Sequence, residues 1–321
     1  NAHSIFSDDV HGLVYVGTMR GVTVMNPSMN SSNHFELPSG INLLDLHMWS
    51  EGGDDGVLLL STTSGLITFA LDTEGQISSV VDDMETEAMN LMVPIQTGSG
   101  GQELMLGFGA EQNVWRFTLD SQGLLTSPTT VPQLTAALQQ QENTTVETAV
   151  HVVLPTEGAR LFVGSDRGLL MANSSDFSGG FDSTWIFDIS NAEDFVIPAD
   201  AIDSALAARV QALFVDGPRD ANGDITSPQT LWVGTRGGVH QFDLIVGPST
   251  PLGAFSYDRM INEQEFTAND IHSILPLGDE VIIGSQWGSW ALDADHSRSS
   301  GVEPDHTRIP GRIVDMTVLD V

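Results

Sequence analysis

The sequence contains no cysteine and no lysine, and it has no long apolar run. The lack of cysteine excludes disulfides, thiolate zinc sites, iron–sulfur clusters and cysteine nucleophiles. Because no apolar stretch approaches about 18 residues, a membrane-spanning helix is excluded as well. Only 11 arginines oppose 43 aspartates and glutamates, which gives a formal net charge of -32. That field repels phosphate backbones and anionic lipid surfaces, so we expect no nucleic acid partner and no membrane insertion.

The acidic composition indicates adaptation to salt. A dense carboxylate surface stays hydrated and soluble where counterions screen its repulsion, as in a halophilic organism. The alternative is an acidic secreted protein without salt adaptation. Three Asn-x-Ser/Thr sequons predict a glycoprotein if the chain is exported, with sugars at Asn30, Asn143 and Asn173. We therefore predict an extracellular or cell-surface location.

What the sequence has in quantity is glycine and a recurring hairpin. The 32 glycines and 14 prolines, with 40% hydrophobic residues, favour many short strands over long helices. One phrase recurs: an apolar strand, a Gly-Thr or Gly-Ser step, a short turn, a glycine and a second strand. Glycine supplies the positive φ of a tight hairpin, so we expect Gly234→Val to be among the most damaging substitutions. The six copies span residues 13–21, 58–65, 104–109, 161–168, 231–238 and 281–288.

A second apolar phrase precedes each hairpin and recurs about every 52 residues, which is the period of a propeller blade. A seventh copy, at 313–316, ends the series. We predict an all-β fold: a single β-propeller of six or seven four-stranded antiparallel blades over residues 1–321, and the extra inner strand suggests a segment of a larger protein. The predicted repeats are 1–40, 41–87, 88–148, 149–208, 209–269 and 270–311, with the extra inner strand at 312–321. The second position of each leading phrase is polar and is expected to line the central channel: His3, Asn42, Asn90, His151, Gln211 and His272.

Two stretches resemble known propeller repeats. The segment LWVGTRGGVHQFD, at 231–243, and the segment NDIHSILPLGDEVIIGSQWG, at 269–288, resemble the two-component-regulator propeller repeat. The segment LVYVGTMRGVTVMNP, at 13–27, is similar to YVTN-type propellers of archaeal surface-layer proteins. Both resemblances imply a propeller outside the cytoplasm that serves in binding or scaffolding, and neither assigns a catalytic residue.

The hairpin turns carry the candidate binding residues. Arg20, Arg167 and Arg236 are predicted to share one turn position, where guanidinium groups could bind a carboxylated or sulfated glycan. The alternative is that each arginine pairs with a carboxylate of the adjoining blade. Trp287 lies in the same kind of turn and is a further candidate. Insertions near these turns have helix-like composition at 131–143 and 198–209.

One loop has the pattern of a cation site. Asp220, Asn222 and Asp224 have the alternate spacing that turns three oxygens toward one hard cation, and Asp216 could complete the shell. Calcium is favoured because it tolerates an irregular set of six to eight oxygens. The alternative is an ordinary acidic turn.

These observations favour a non-catalytic propeller that binds a ligand or acts as an assembly scaffold at the cell surface. We predict no organic cofactor, and the expected partners are other surface proteins or an anionic glycan. The alternatives are a polysaccharide lyase or glycosidase on a propeller scaffold, and a structural subunit of a surface layer or sheath.

Overall fold

The structure is a computed structural model, and each statement about it concerns the residues that it describes. These residues are 2–8, 10–28, 31–50, 56–95, 104–120, 124–140, 144–154, 158–173, 187–188, 209–218, 227, 229–236, 238–244, 251–255, 258–261, 264–267, 270–277, 280–286 and 288–293. The predicted extra strand at 312–321 lies outside them.

The chain divides into two compact units between Glu142 and Asn143. The first unit contains three four-stranded antiparallel sheets, named blades one to three, whose strands pair in chain order. Blade one is β1 (Ala2–Asp8), β2 (Leu13–Thr18), β3 (Gly21–Asn26) and β4 (Ser31–Glu36). Blade two is β5 (Leu43–Ser50), β6 (Gly56–Thr62), β7 (Gly65–Leu71) and β8 (Ile77–Glu85). Blade three is β9 (Met89–Ile95), β10 (Leu104–Gly109), β11 (Val114–Leu119) and β12 (Leu125–Thr130), followed by helix α1 (Pro132–Gln139).

The second unit repeats this arrangement. Blade four is β13 (Val146–Leu154), β14 (Gly158–Ser165), β15 (Gly168–Asn173) and β16 (Phe187–Asp188). Blade five is β17 (Val210–Asp216), β18 (Thr230–Thr235), β19 (Gly238–Asp243) and β20 (Pro251–Phe255). A two-stranded hairpin follows, β21 (Asp258–Ile261) with β22 (Gln264–Thr267). Three described strands form blade six: β23 (Ile271–Leu277), β24 (Glu280–Ser285) and β25 (Gly288–Asp293).

The predicted four-stranded antiparallel blades are confirmed, as is the helix expected within 131–143. Of the second segment with helix-like composition, 198–209, all but the last residue lie outside the described residues. Helix α1 begins with Pro132 at its first turn, where the missing N–H costs no hydrogen bond. Leu134 and Leu138, one turn apart, are its buried residues, so the helix covers its blade with one apolar stripe.

In blades two to six the central residues of the second strand are buried on both faces, because the strand lies inside its own sheet and between neighbouring sheets, whereas β2 of blade one alternates buried and half-buried residues. In β6, for example, Val57 to Leu60 are all buried. Blades one and two share a core that includes Leu13, Tyr15 and Leu43, and Phe35 of blade one meets the ring of Phe69 at 4.6 Å, edge to face. The near-continuous apolar runs of the hairpins therefore follow from stacking of blades.

Blades one, four and five each contact the next blade through the glycine that their second strand carries. A Cβ on Gly234 would lie 2.6 Å from Ile271 Cγ2, and one on Gly164 would lie 2.5 Å from Val210 Cγ1. Ile271 and Val210 are the first residues of the next blade. We call this contact the glycine socket. The sequence predicted that Gly234 is needed for a positive φ, and this reason is wrong because Gly234 lies within β18 and is not one of the positive-φ glycines. Gly234 is needed because a Cβ would overlap the next blade.

Positive φ is required instead at the glycine that ends each turn. Gly21, Gly65, Gly168 and Gly238 have φ values of 153°, 128°, 143° and 128°. A Cβ on Gly21 would overlap the carbonyl oxygen of Phe35 in β4. Only glycine therefore lets the fourth strand approach the start of the third.

Candidate functional site

The turn between the second and third strands has the same backbone in four blades. The residue that starts the turn donates its side-chain hydroxyl to the carbonyl of the glycine that ends it. These bonds are Thr18 Oγ1 to Gly21 O (3.1 Å), Thr62 Oγ1 to Gly65 O (2.9 Å), Ser165 Oγ to Gly168 O (3.0 Å) and Thr235 Oγ1 to Gly238 O (3.1 Å). We call this hydroxyl-to-carbonyl hydrogen bond the turn clamp. It explains the recurring Thr or Ser of the sequence, and the side chains of the two residues between the hydroxyl residue and the glycine take no part in it.

The pair of residues inside the clamp differs from blade to blade. The pairs are Met19-Arg20, Thr63-Ser64, Asp166-Arg167, Arg236-Gly237 and, in the matching turn of blade six, Gln286-Trp287. Arg20 and Arg167 occupy the second place of their pair, whereas Arg236 occupies the first. The prediction of one shared turn position is therefore wrong for Arg236, because the hairpin register pairs Thr235 with Gly238 and places Arg236 directly after Thr235.

The three arginines also differ in surroundings. Arg20 is exposed and lies in the first unit, while Arg167 and Arg236 are half-buried and lie in the second. Arg236 Nε lies 3.4 Å from Asp270 Oδ1, and Asp270 directly precedes the first strand of blade six. Pairing with the adjoining blade, the alternative left open by the sequence, is thus found for Arg236. A binding role of the arginines stays a prediction, and Trp287 lies outside the described residues.

The first strand of every blade contains a β-bulge at its second residue. The register shifts between Ala2 and Ser4 in β1 and between Val146 and Thr148 in β13, and likewise in the other blades. A bulge re-aims the side chain of the extra residue and is common beside functional sites. The bulged residues are His3, Leu44, Asn90, Glu147, Gln211 and His272.

This series corrects the polar column expected from the sequence. His3, Asn90, Gln211 and His272 were aligned correctly, but Leu44 and Glu147 replace Asn42 and His151. His151 lies four residues further along β13 and pairs with Leu161. The sequence around His151 is similar to that around His272, and this similarity caused the wrong alignment. The register of β13 is instead fixed by its pairing with β14.

Six polar side chains from blades four to six come together around these bulges, and we call them the unit-two polar cluster. They are Glu147, Arg209, Gln211, Arg236, Asp270 and His272. Arg209 Nη2 donates to Glu147 Oε1 at 2.6 Å, which is the one short ion pair of the group. His272 Nε2 lies 3.7 Å from Asp270 Oδ2, and its Nδ1 lies 3.4 Å from Gln211 Nε2. The first strands of blades four, five and six carry or directly follow most of these residues. Among these strands, β13 contacts β17, and β17 contacts β23.

Burial and the neighbouring arginines act in opposite directions on the pKa of Glu147, and burial has the larger effect. Burial raises the pKa of Glu147, while the charges of Arg209 and Arg236 act in the opposite direction. Sequence reasoning missed Glu147, Arg209 and Asp270. Arg209 and Asp270 each stand directly before a first strand, which is a recognisable position once the strand starts are known.

Three histidines elsewhere are removed from solvent to different degrees: His240 is buried, and His47 and His151 are half-buried. Burial lowers the pKa of His47, His151 and His240 to about 4 in each case. His47 packs edge to face on Phe6 at 6.3 Å, which ties blade two to blade one. Their imidazoles are therefore neutral at physiological pH.

Only some of the residues predicted to bind a cation or to carry sugars lie among those that the structure describes. Asp216 ends β17, and its Oδ1 accepts a hydrogen bond from Gly217 N at 2.8 Å. Asp220, Asn222, Asp224, Asn30 and Asn143 lie outside the described residues. Asn173 is the last residue of β15. Within the described part of the chain, no group of three or more acidic or histidine side chains could hold a metal ion.

Comparison with known proteins shows the fold. No family model matches the chain, and no curated protein matches its sequence. Among solved structures, the WD40 domain of Pan2 from Neurospora crassa is similar over 99% of this chain and 82% of its own, at 11% identity and a TM-score of 0.59. A chain of the mitotic checkpoint complex is similar over 94% of this chain and 79% of its own, at 12% identity and a TM-score of 0.52. Raptor of Chaetomium thermophilum is similar over 98% of this chain, at 13% identity and a TM-score of 0.56, and the chain spans 26% of its length.

These likenesses and the four-stranded antiparallel blades establish a β-propeller fold. The resemblances to two-component-regulator and YVTN-type repeats stay predictions. None of the helices that the structure describes combines the length and the apolar composition needed to cross a membrane.

Proposed function

We propose that this protein is a non-catalytic binding scaffold that presents its hairpin turns to a macromolecular partner. The observation that carries the proposal is the turn clamp. One hydroxyl-to-carbonyl bond fixes the turn backbone, while the two residues inside the turn change from Met19-Arg20 to Thr63-Ser64 to Asp166-Arg167. A rigid frame that displays variable residues on loops is typical of binding proteins.

The partner is proposed to be another protein, met outside the cytoplasm of a salt-adapted organism. The net charge of -32 supports this setting, because such a surface is soluble and non-adhesive when salt screens it. The resemblance to surface-layer propellers supports the same location. One structural neighbour is a chain of the mitotic checkpoint complex, which is an assembly of proteins.

The proposal is tested by exchanging turn residues. Thr-Ser, the pair that blade two already holds in its clamp, replaces Met19-Arg20 in one variant and Asp166-Arg167 in another, so the backbone is expected to be kept. The tagged full-length chain is cross-linked to surface proteins of the source cells at their native salt concentration, and partners are identified by mass spectrometry. At least one turn exchange should remove a partner that the wild type captures.

The matched control changes exposed residues far from the turns along the outer strand β8. Val80 and Val81 are 52% and 43% exposed there, and their replacement by threonine should leave every partner bound. Identical partners for both turn exchanges and the wild type would contradict a binding role of the turns.

A polysaccharide lyase or glycosidase is the second candidate. One observation favours it: Arg236, Asp270 and His272 converge from two blades, and such groups can neutralise a uronate and move a proton. Incubation of the protein with polyuronates and neutral glucans, followed by assay for unsaturated and reducing ends, tests it. Cleavage that His272→Gln abolishes would support this candidate over a pure scaffold.

A further inference from the structure

The outer strand of blade one is an open edge of its sheet. Strand β4 pairs with β3 on one side, and no strand of the described part of the chain pairs with its other side. Its residues 31–34 are all exposed. An edge of this kind presents unpaired N–H and C=O groups to other strands, so proteins protect their edges with bulges, charges, proline or covering segments.

Three outer strands of the other blades have such protection. β8 skips two residues in its pairing with β7, which makes two bulges, and it contains Asp82 and Asp83. β12 has a break in its register and contains Pro128. β20 also has a break in its register, and it begins with Pro251. A further strand would therefore pair poorly with any of these three edges.

Strand β4 has none of these features. Its pairing with β3 runs over all six of its residues, from Ser31 to Glu36, without a shift of register. It contains no proline, and its one charged residue is Glu36 at its end. Blade one therefore has an edge that is straight and uncharged up to its last residue, in a chain whose net charge is -32.

The neighbours of β4 hold this edge in place. Asn33 Nδ2 donates a hydrogen bond to Gln76 Oε1 of blade two at 3.0 Å. On the other face of the strand, His34 Nδ1 lies 3.0 Å from Thr23 Oγ1 of β3. A strand that is already ordered loses little conformational entropy when it pairs, so this edge is prepared for a partner strand.

The lack of charge indicates which strand the edge fits. Two copies of a chain with a net charge of -32 can meet only where carboxylates do not oppose each other, and residues 31–35 contain no carboxylate. Serine, asparagine and histidine side chains can both donate and accept hydrogen bonds, so the edge is complementary to itself. A basic partner would instead be attracted to an edge that carries carboxylates, such as β8.

We propose that β4 pairs antiparallel with β4 of a second copy of this chain about a two-fold axis. The two copies of blade one then form one continuous eight-stranded sheet, with their hairpin turns at opposite ends of it. Because main-chain pairing over about six residues buries little surface, the dimer is weak and forms at high protein concentration. This association goes beyond the scaffold function and does not depend on the turns.

Sedimentation equilibrium of the full chain in molar salt measures the association. With rising protein concentration, the mass should approach twice the 34.4 kDa of the single chain. The dissociation constant should be at least tenfold higher at about 0.1 M salt, where the Debye length is about 10 Å and the two acidic chains repel each other more strongly.

Single cysteines locate the contact, because the chain has no cysteine of its own. Ser32→Cys and Asn33→Cys place a thiol near the two-fold axis, and mild oxidation in molar salt should join two copies through a disulfide. The matched control is Ser79→Cys, which changes an exposed serine on the bulged outer strand β8. Both β4 variants should form the cross-linked dimer at least tenfold faster than the control, and Ser32→Cys should melt like the wild type.

Three outcomes would overturn the proposal. The first is a wild type that stays monomeric in molar salt at every protein concentration. The second is cross-linking of Ser32→Cys and Asn33→Cys that is no faster than that of Ser79→Cys. The third is a monomeric wild type whose Ser32→Cys variant forms a disulfide with a different protein of the source cells, which would assign the edge to a foreign strand.

Discussion

The glycine socket predicts that Gly234 cannot accept even one methyl group without loss of stability. Gly234→Ala would place a Cβ 2.6 Å from Ile271 Cγ2 and 3.1 Å from Ala212 Cβ, both closer than ordinary carbon contacts. Ile271 is fully buried in the core of blades five and six, so it has little room to retreat. Overpacking of this kind costs roughly 1 to 3 kcal/mol, and Gly234→Val, with two further methyl groups, should cost more.

A second substitution shows whether the contact with Ile271 is the cause. Ile271→Ala alone should cost about 2 to 5 kcal/mol, because it leaves a cavity. Combined with Gly234→Ala, it removes the overlapping Cγ2 and lets the new methyl group fill part of that cavity. The double variant should therefore be at least about 1 kcal/mol more stable than the sum of the two single effects.

Urea unfolding at one fixed, high salt concentration measures these effects as shifts of the midpoint. Gly12→Asn is the control, because Gly12 has a φ of 63°, which asparagine tolerates, and no atom within 4 Å of an added Cβ. An unchanged midpoint for Gly234→Ala, or additive behaviour of the double variant, would refute the socket.

Four further predictions concern charge, ions and pH. The unfolding midpoint should fall sharply as salt is lowered from molar to about 0.01 M, where the Debye length reaches about 30 Å and the net charge of -32 is unscreened; melting that ignores salt would count against salt adaptation. Calcium should raise the melting temperature more than magnesium at equal ionic strength, and this difference should vanish when Asp220 and Asp224 are changed to asparagine. Replacement of Arg20, Arg167 and Arg236 by glutamine should abolish binding to uronate-rich and sulfated glycans on an array. Among the single replacements, that of the exposed Arg20 should change stability least. Loss of stability with intact glycan binding would identify the arginines as bridges between blades. Burial lowers the pKa of His240 from 6.5 to about 4, so between these pH values the unfolded chain binds a proton at this histidine and the folded chain does not. The stability of the wild type relative to His240→Gln should therefore fall as the pH drops from about 6.5 to 4. Melting temperatures of the two proteins that depend on pH in the same way would contradict this prediction.

The sequence was most informative where the physical constraint is local. The hydroxyl, the glycine and the apolar strands of each hairpin lie within about ten residues, so their spacing predicted blades and turns correctly. The sequence was least informative where the register of strand pairing determines which residue occupies a position. A strand can contain two similar apolar segments, and the sequence does not show which of them aligns with the other blades. Around His151 the phrase matched its repeats, yet β13 begins at Val146 and places Glu147 at the bulge. Likewise, the approach of Arg209 to Glu147 joins residues 62 positions apart, and neither residue type recurs at the matching position of the other blades.

The glycine socket bears on how such a chain could have grown. Blade five carries both halves of the contact: its first residue, Val210, fills the space over Gly164 of blade four, and its own Gly234 receives Ile271 of blade six. A tandem duplication of one blade would therefore arrive with compatible ends on both sides. Among homologous sequences, the residue at 164 should covary with that at 210, and the residue at 234 with that at 271, because a larger side chain in the socket requires a smaller one in the next blade.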